Sequence, residues 1–168
     1  MKFGLFYEHQ NPKPWDEDSE SRVFMESLDQ IELADRLGID AVWEVEHHFL
    51  EEYSHSSAPE VFLAAASQRT SQIRLGHGIN LTAPKYNHPA RVAERVSMLD
   101  QVSEGRVDWG TGESATLMEL EGFNIDPDEK GLMWREGTEQ AANMMALNPY
   151  PGYEGKYFSM PCRNVIPK

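Results

Sequence analysis

The residues able to do chemistry in this sequence sit directly after short apolar runs. One such run, residues 39–45, ends in Glu46-His47-His48-Phe49. An unperturbed imidazole titrates near pH ~6.5, so a histidine here can hold or pass a proton at neutral pH. One of these two adjacent imidazoles is therefore a candidate proton-handling or ligand-orienting group. The plainer alternative is a hydrogen-bonded loop histidine with Glu46 as an ordinary ion-pair partner. Metal ligation is a third reading, because Glu51, Glu52 and His55 follow closely. It is disfavoured: no His-Glu-x-x-His pattern is present, and successive residues at a strand end point apart.

Two further stretches combine glycine with polar groups. Gly76-His77-Gly78-Ile79-Asn80 lies inside an apolar run. Glycine within a strand leaves room for close approach. A flat ring could stack near Gly78 with Asn80 hydrogen-bonding it, or the space could serve tight internal packing. Trp109-Gly110-Thr111-Gly112-Glu113-Ser114 is a glycine-rich turn before a helix. Such turns can cradle a phosphate, but Glu113 would repel a dianion. A strained turn that needs Gly112 is the competing explanation.

The elements that must position these residues follow from periodicity. Strands are expected at residues 2–7, 39–45, 73–81 and 106–112. Helices are expected at 20–37, 59–70, 90–102, 114–122 and 127–147. Phe24, Leu28, Ile31, Ala34 and Leu37 form one helical face. Gly38 suits a left-handed cap, and Pro59 suits a first helical turn. Residues 153–160 read as a small hairpin. Trp43 and Trp109 read as packing residues within strands, and Met144-Met145 as core. Asp126, Asp128 and Glu129 read as charges at a helix N-terminus. Alternating strands and helices call for parallel strands with helical crossovers, in an open sheet or a (β/α)8 barrel. In both, ligands bind beyond the carboxyl ends of the strands. The chemically equipped stretches fall at those ends: 7–9, 45–49, 78–82 and 110–114. After the first strand stands Glu8-His9-Gln10-Asn11, where a dinucleotide-binding sheet would place glycines.

Composition narrows the function classes. The 168 residues include 15 Lys+Arg against 28 Asp+Glu, a formal net charge of -13. That balance argues against nucleic acid and against an anionic membrane surface. Hydrophobic residues make up 40%, enough for a packed core, so one folded domain over 1–168 is expected. No run approaches the ~20 apolar residues of a membrane span. A single cysteine, Cys162, excludes an internal disulfide and a cysteine-based zinc site. A reducing, cytoplasmic location is the expectation.

Several stretches, taken in order, make the sequence familiar. These are Met1-Lys2-Phe3-Gly4, Trp43-Glu44-Val45-Glu46-His47-His48-Phe49, Asn87-His88-Pro89-Ala90-Arg91 and Leu99-Asp100-Gln101-Val102-Ser103-Glu104-Gly105-Arg106. Together they resemble the bacterial luciferase-like flavin monooxygenases. Tyr153-Glu154-Gly155-Lys156-Tyr157-Phe158 is similar to a hairpin which that family carries after its fourth unit. The resemblance covers essentially the whole chain. It implies an α/β fold of the (β/α)8 TIM-barrel family, here about four βα units, a half-barrel, plus a C-terminal β-hairpin. It implies reduced FMN as cofactor, supplied by a separate flavin reductase. It also implies O2 as co-substrate and a flavin C4a-hydroperoxide that oxygenates a small organic substrate.

By the same resemblance His47 takes the catalytic position, and Glu46, Gly78, Asn80 and Glu113 the cofactor-binding positions, with Gly78 and Ile79 backing the flavin ring. Glu113 departs from the luciferase branch, which has an arginine for the phosphate there. The resemblance further implies a homo- or heterodimer through the helices at 59–70 and 90–102. Ala64, Ala65 and Ala66 would allow close approach. Other readings stay open: a non-catalytic flavin-binding or partner subunit, a shortened chain inactive alone, or an F420-dependent oxidoreductase.

Overall fold

A computed structural model describes residues 1–168. The chain divides into two compact units. The first comprises residues 1–80 and 99–110, the second residues 81–98 and 111–168.

The first unit is built on a parallel sheet. β1 (Gly4–Tyr7), β2 (Ala41–Glu44), β3 (Arg74–His77) and β5 (Val107–Asp108) lie side by side in that order. The expected four strands in sequential order are therefore present. Register follows directly: Phe6 pairs with Trp43, Trp43 with Gly76 and Gly76 with Asp108. Residues paired in a parallel ladder share a face, and neighbours along a strand alternate. Leu5, Tyr7, Val42, Glu44, Leu75, His77 and Val107 thus share one face, and Phe6, Trp43, Gly76 and Asp108 share the other.

Helices cover the first of these faces. α1 (Ser19–Leu37) and α2 (Pro59–Ser67) bring Leu28, Ile31, Ala34, Phe62, Leu63 and Ala66 against Val42 and Leu75. Ile31, Leu63, Val42 and Leu75 lose all solvent contact, and each such side chain is worth ~1.5–3 kcal/mol on transfer from water. α1 stops where Gly38 turns left-handed at φ 79°, and its N–H donates back to the carbonyls of Ala34 and Asp35. The Asp35 carboxylate accepts the N–H groups of Ser71, Gln72 and Ile73, at 3.0, 2.8 and 2.7 Å. Burial alone would push this carboxyl up, but those three bonds outweigh it and hold it below its usual value. The start of β3 is thereby tied to the end of α1. Arg106 secures the same loop by donating to the carbonyls of Ser67, Thr70, Ile73 and Ser103.

The second unit begins within β4 (Asn80–Leu81), which forms a two-stranded sheet with β6 (Thr111–Gly112). α3 (Pro89–Val102) follows β4, and its last turn belongs to the first unit. α4 (Leu117–Gly122) and α5 (Lys130–Ala146) come next. An antiparallel hairpin of β7 (Tyr150–Glu154) and β8 (Ser159–Arg163) closes the chain. Met144 is buried with Ala90, Ala93, Tyr150, Phe158 and Val165. The Glu136 carboxylate accepts the N–H groups of Tyr157 and Phe158 at the hairpin's turn.

Expected and observed elements differ in detail. The expected strands at 73–81 and 106–112 are each broken into two short pieces, because residues 78–79 and 109–110 leave the ladder. The hairpin starts three residues earlier than expected, at Tyr150, and α5 starts later, at Lys130. Asp126, Asp128 and Glu129 lie in the turn before α5, with Glu129 at its N-terminal boundary and the Asp126 carboxylate accepting the Asp128 N–H. The strain expected at Gly112 falls at Ser114, whose φ is +65°.

Candidate active site

Glu8, Glu46, His47, His48 and Asn80 all come from segments that leave the carboxyl ends of neighbouring strands in the first unit. They meet because the register aligns Tyr7 with Glu44 and Glu44 with His77. The next residues of each chain segment then emerge together at one rim.

One polar chain crosses that rim. Glu46 is buried, and its Oε2 accepts the Asn80 side-chain amide at 2.5 Å. Its Oε1 lies 3.2 Å from His48 Nε2. The Trp109 indole N–H donates to Asn80 Oδ1 at 3.2 Å. Both ends of the Asn80 amide are therefore engaged, which fixes its orientation. Sequence reasoning singled out Glu46 and Asn80, but not that they hold each other. Trp109, read as packing, also belongs to this chain.

His47 stands between Glu46 and His48 on the same segment. Its backbone N–H donates to Ser56 O at 2.8 Å. Its ring meets Tyr53 edge-on at 5.7 Å between centroids, and Nε2 lies 3.5 Å from Glu8 Oε2. It borders an open cavity of about 450 Å³, which Phe49, Leu50, Glu51 and His55 also line. No group of three or more His, Cys, Asp or Glu side chains is arranged to hold a metal ion.

Gly78 lies where a methyl group would meet Phe6 Cε2 and Trp43 Cβ, each at 3.2 Å. At Gly76 the crowding is greater: a methyl group would sit 2.3 Å from Trp43 Cε3. The glycines of this strand thus make room for an indole of the neighbouring strand, the tight-packing alternative, most plainly at Gly76. Phe6, on the same sheet face, remains 59% exposed.

Behind the rim, on the helix-covered face, lies a site that sequence reasoning missed. His9 and Glu44 are both fully buried, with Nε2 2.8 Å from Glu44 Oε1. The Ser56 hydroxyl lies against the same carboxylate oxygen and the Val45 carbonyl. Ser27 commits its hydroxyl hydrogen to Val23 O at 2.7 Å, so at 3.3 Å its oxygen accepts from His9 Nδ1. His9 Nε2 then faces the Glu44 carboxylate at ion-pair distance. Burial pushes the Glu44 carboxyl up, although His9 and Ser56 pull it down. Glu44 precedes the Glu-His-His stretch by one residue. The one available signal was a charged residue at a core-facing position of an apolar strand.

Glu113 belongs to the second unit. Its Oε1 lies 3.5 Å from Lys130 Nζ, and Gly131 leaves it space, since a methyl there would be 2.8 Å from Oε2. The turn around it is held by Glu119, which accepts from Ser114 Oγ and Thr116 Oγ1 at 2.6 and 2.7 Å.

Comparison with known families places the chain. The description of the luciferase-like monooxygenases matches residues 1–168. The chain belongs to that family. Limonene 1,2-monooxygenase of Rhodococcus erythropolis is 34% identical over 149 residues, 87% of this chain and 36% of the relative. Among solved structures, the monooxygenase RslO1 of Streptomyces bottropensis is 35% identical with a TM-score of 0.90. That likeness covers all of this chain and 50% of RslO1. The oxygenating constituent of the type II Baeyer-Villiger enzyme 3,6-diketocamphane monooxygenase, from Pseudomonas putida and in complex with FMN, is 26% identical. Its TM-score is 0.83, and the likeness covers 95% of this chain and 43% of that one. The chain thus spans about half the length, or less, of these relatives. The fold class expected from the sequence, an α/β chain of the barrel type with about four βα units, holds for this member of the luciferase-like family.

Proposed function

We propose that the chain is the flavin-facing part of an FMN-dependent monooxygenase that oxygenates a small organic substrate with O2. The observation that supports this most is the rim itself. Phe6 lies exposed near the carboxyl end of β1, and Glu46, His47 and Asn80 follow the carboxyl ends of β2 and β3. The isoalloxazine ring has matching character, apolar at one end and hydrogen-bonding at the other. The rim residues therefore fit the ring of the flavin. They do not fit its phosphate, and Glu113, already beside Lys130, has the wrong sign for that contact. Glu113 stays in the proposal only through its place after β6.

When bound, reduced FMN would supply the two electrons with which O2 is activated. This chain's residues would do the rest. Glu46 and Asn80 would orient the ring, each held by the other. Gly78, with no side chain, would keep the backbone clear beneath it. His47 would hold or pass a proton at the reacting edge, a role worth ~10²–10⁴-fold in rate for a placed acid or base. The relative named as an oxygenating constituent supports delivery of reduced flavin by a separate reductase.

The test is a titration of the chain with FMN, oxidised and reduced, followed by flavin fluorescence and absorbance. Saturable binding is expected. N80A should weaken it ~2–10-fold, the worth of one hydrogen bond. H47A should leave binding in place and change the rate at which bound reduced flavin is reoxidised by O2 by ~100-fold. No saturation at high micromolar flavin would remove the proposal for this chain.

A further inference from the structure

We propose that Glu8 is a positioning residue for His47: its carboxylate takes the Nε2–H and so sets which imidazole nitrogen carries the lone pair. This deepens the reading of the site given above and rests on it for the role of His47. The observation is direct. Glu8 is the first residue after β1, and its Oε2 lies 3.5 Å from His47 Nε2, with the two side chains 18% and 23% exposed. That oxygen is buried and has no hydrogen-bond partner. The separation is looser than a formed hydrogen bond, as contacts to catalytic groups often are without substrate. The other carboxylate oxygen accepts from Tyr53 OH at 3.4 Å, and the Tyr53 ring packs edge-on against His47. Glu8 and Tyr53 therefore bracket the imidazole.

The carboxylate is held there from behind. His9, next in the chain, takes a left-handed backbone, with φ +51°. Its ring is pinned by Glu44, stacked on Tyr7 at 5.5 Å and set edge-on to Phe24 and Phe62. Its carbonyl accepts the His55 N–H at 3.1 Å. A non-glycine residue in this conformation persists only where its surroundings over-determine it. With His9 buried on the helix-covered face, Glu8 is left at the rim beside His47. The buried pair thus acts as an anchor for the carboxylate. A histidine whose one nitrogen donates to a carboxylate presents the other as the acceptor. Here Nδ1 would be the nitrogen that carries the lone pair. The other titratable groups around the imidazole are Glu20 of α1, and Glu51 and His55 of the same loop. Glu8 is the carboxylate placed 3.5 Å from Nε2.

The experiment needs no flavin. The chain is labelled with 15N-histidine, and long-range 1H–15N correlations are recorded above the pH at which His47 titrates, its signals being assigned by their loss in H47Q. In the wild type, His47 should read as the Nε2–H form. E8Q, whose amide oxygen can still accept, should keep that form. E8A should lose the preference, with the Nε2–H fraction falling toward the mixture of an unconstrained imidazole. An E8A spectrum identical to the wild type overturns the proposal. So does a wild-type His47 in the Nδ1–H form, a result that stands even if E8A does not fold. The FMN titration described above is read separately. Flavin binding with an unchanged E8A tautomer removes Glu8 alone, and a changed tautomer without flavin binding removes the flavin reading alone.

Discussion

At Glu44 a carboxyl sits in a fully buried position with one imidazole and one hydroxyl for company. Burial is the largest influence on it and pushes it up, with the nearby charge of Glu8 adding to the rise. The native value thus lies above the unfolded one, near ~4.3. Stability tied to this group is complete below the unfolded value and is lost as the pH rises through the native one. E44Q keeps the shape and removes the ionisation. The Tm of E44Q relative to wild type should therefore move in favour of Gln as the pH is raised from 4 to 8. Each kcal/mol reads as ~2–4 °C for a chain of this length. Parallel Tm curves would count against this reading of Glu44. H9L, which strips the carboxylate of its partner, should cost ~3–5 kcal/mol in urea unfolding at pH 7. His47, Glu46 and Asn80 were legible as candidates because they follow apolar runs in a strand-helix alternation. Their partners were not, since Glu8 and Trp109 are brought to them only by pairing between strands distant in sequence.

The strands of the first unit illustrate how one element decides another's residues. Gly76 and Gly78 could be read as space for a ring, and an indole of the neighbouring strand fills that space at Gly76. The ladder places Trp43 opposite Gly76, so a side chain at 76 has nowhere to go but into a rigid ring. G76A should lose ~1–3 kcal/mol by overpacking. Combined with W43V, the alanine should become nearly neutral, and urea unfolding of the four proteins measures this coupling. Additive losses would show that Trp43 is not what the glycine accommodates. Helices were legible to within a few residues because their caps are local: Gly38 ends α1, and Pro59 opens α2. The breaks at residues 78–79 and 109–110 were not, because they depend on where the ladder partners stop.

For the whole molecule, the dimer expected through the helix at 59–70 can be sharpened. Ala66 is turned into the core at 1% exposure and cannot meet a second subunit, whereas Val61 is 69% exposed and Ala65 is also at the surface. If α2 pairs subunits, Val61 and Ala65 are the residues that do so. V61E with A65E should weaken self-association at least ~10-fold by sedimentation, against a wild type that is dimeric, and a monomeric wild type would end the proposal. No helix is long and apolar enough to cross a membrane, in keeping with the lack of long apolar runs. By itself the sequence determined the order of strands and helices, the family and the stretches where chemistry could lie. These are local matters of periodicity, caps and residue type, and each is written in contiguous residues. Only the tertiary structure decided that Glu8 faces His47, that Asn80 holds Glu46 and that His9 is buried on Glu44. Those contacts depend on register between separate strands, and a shift of one residue would turn each of these side chains to the other face.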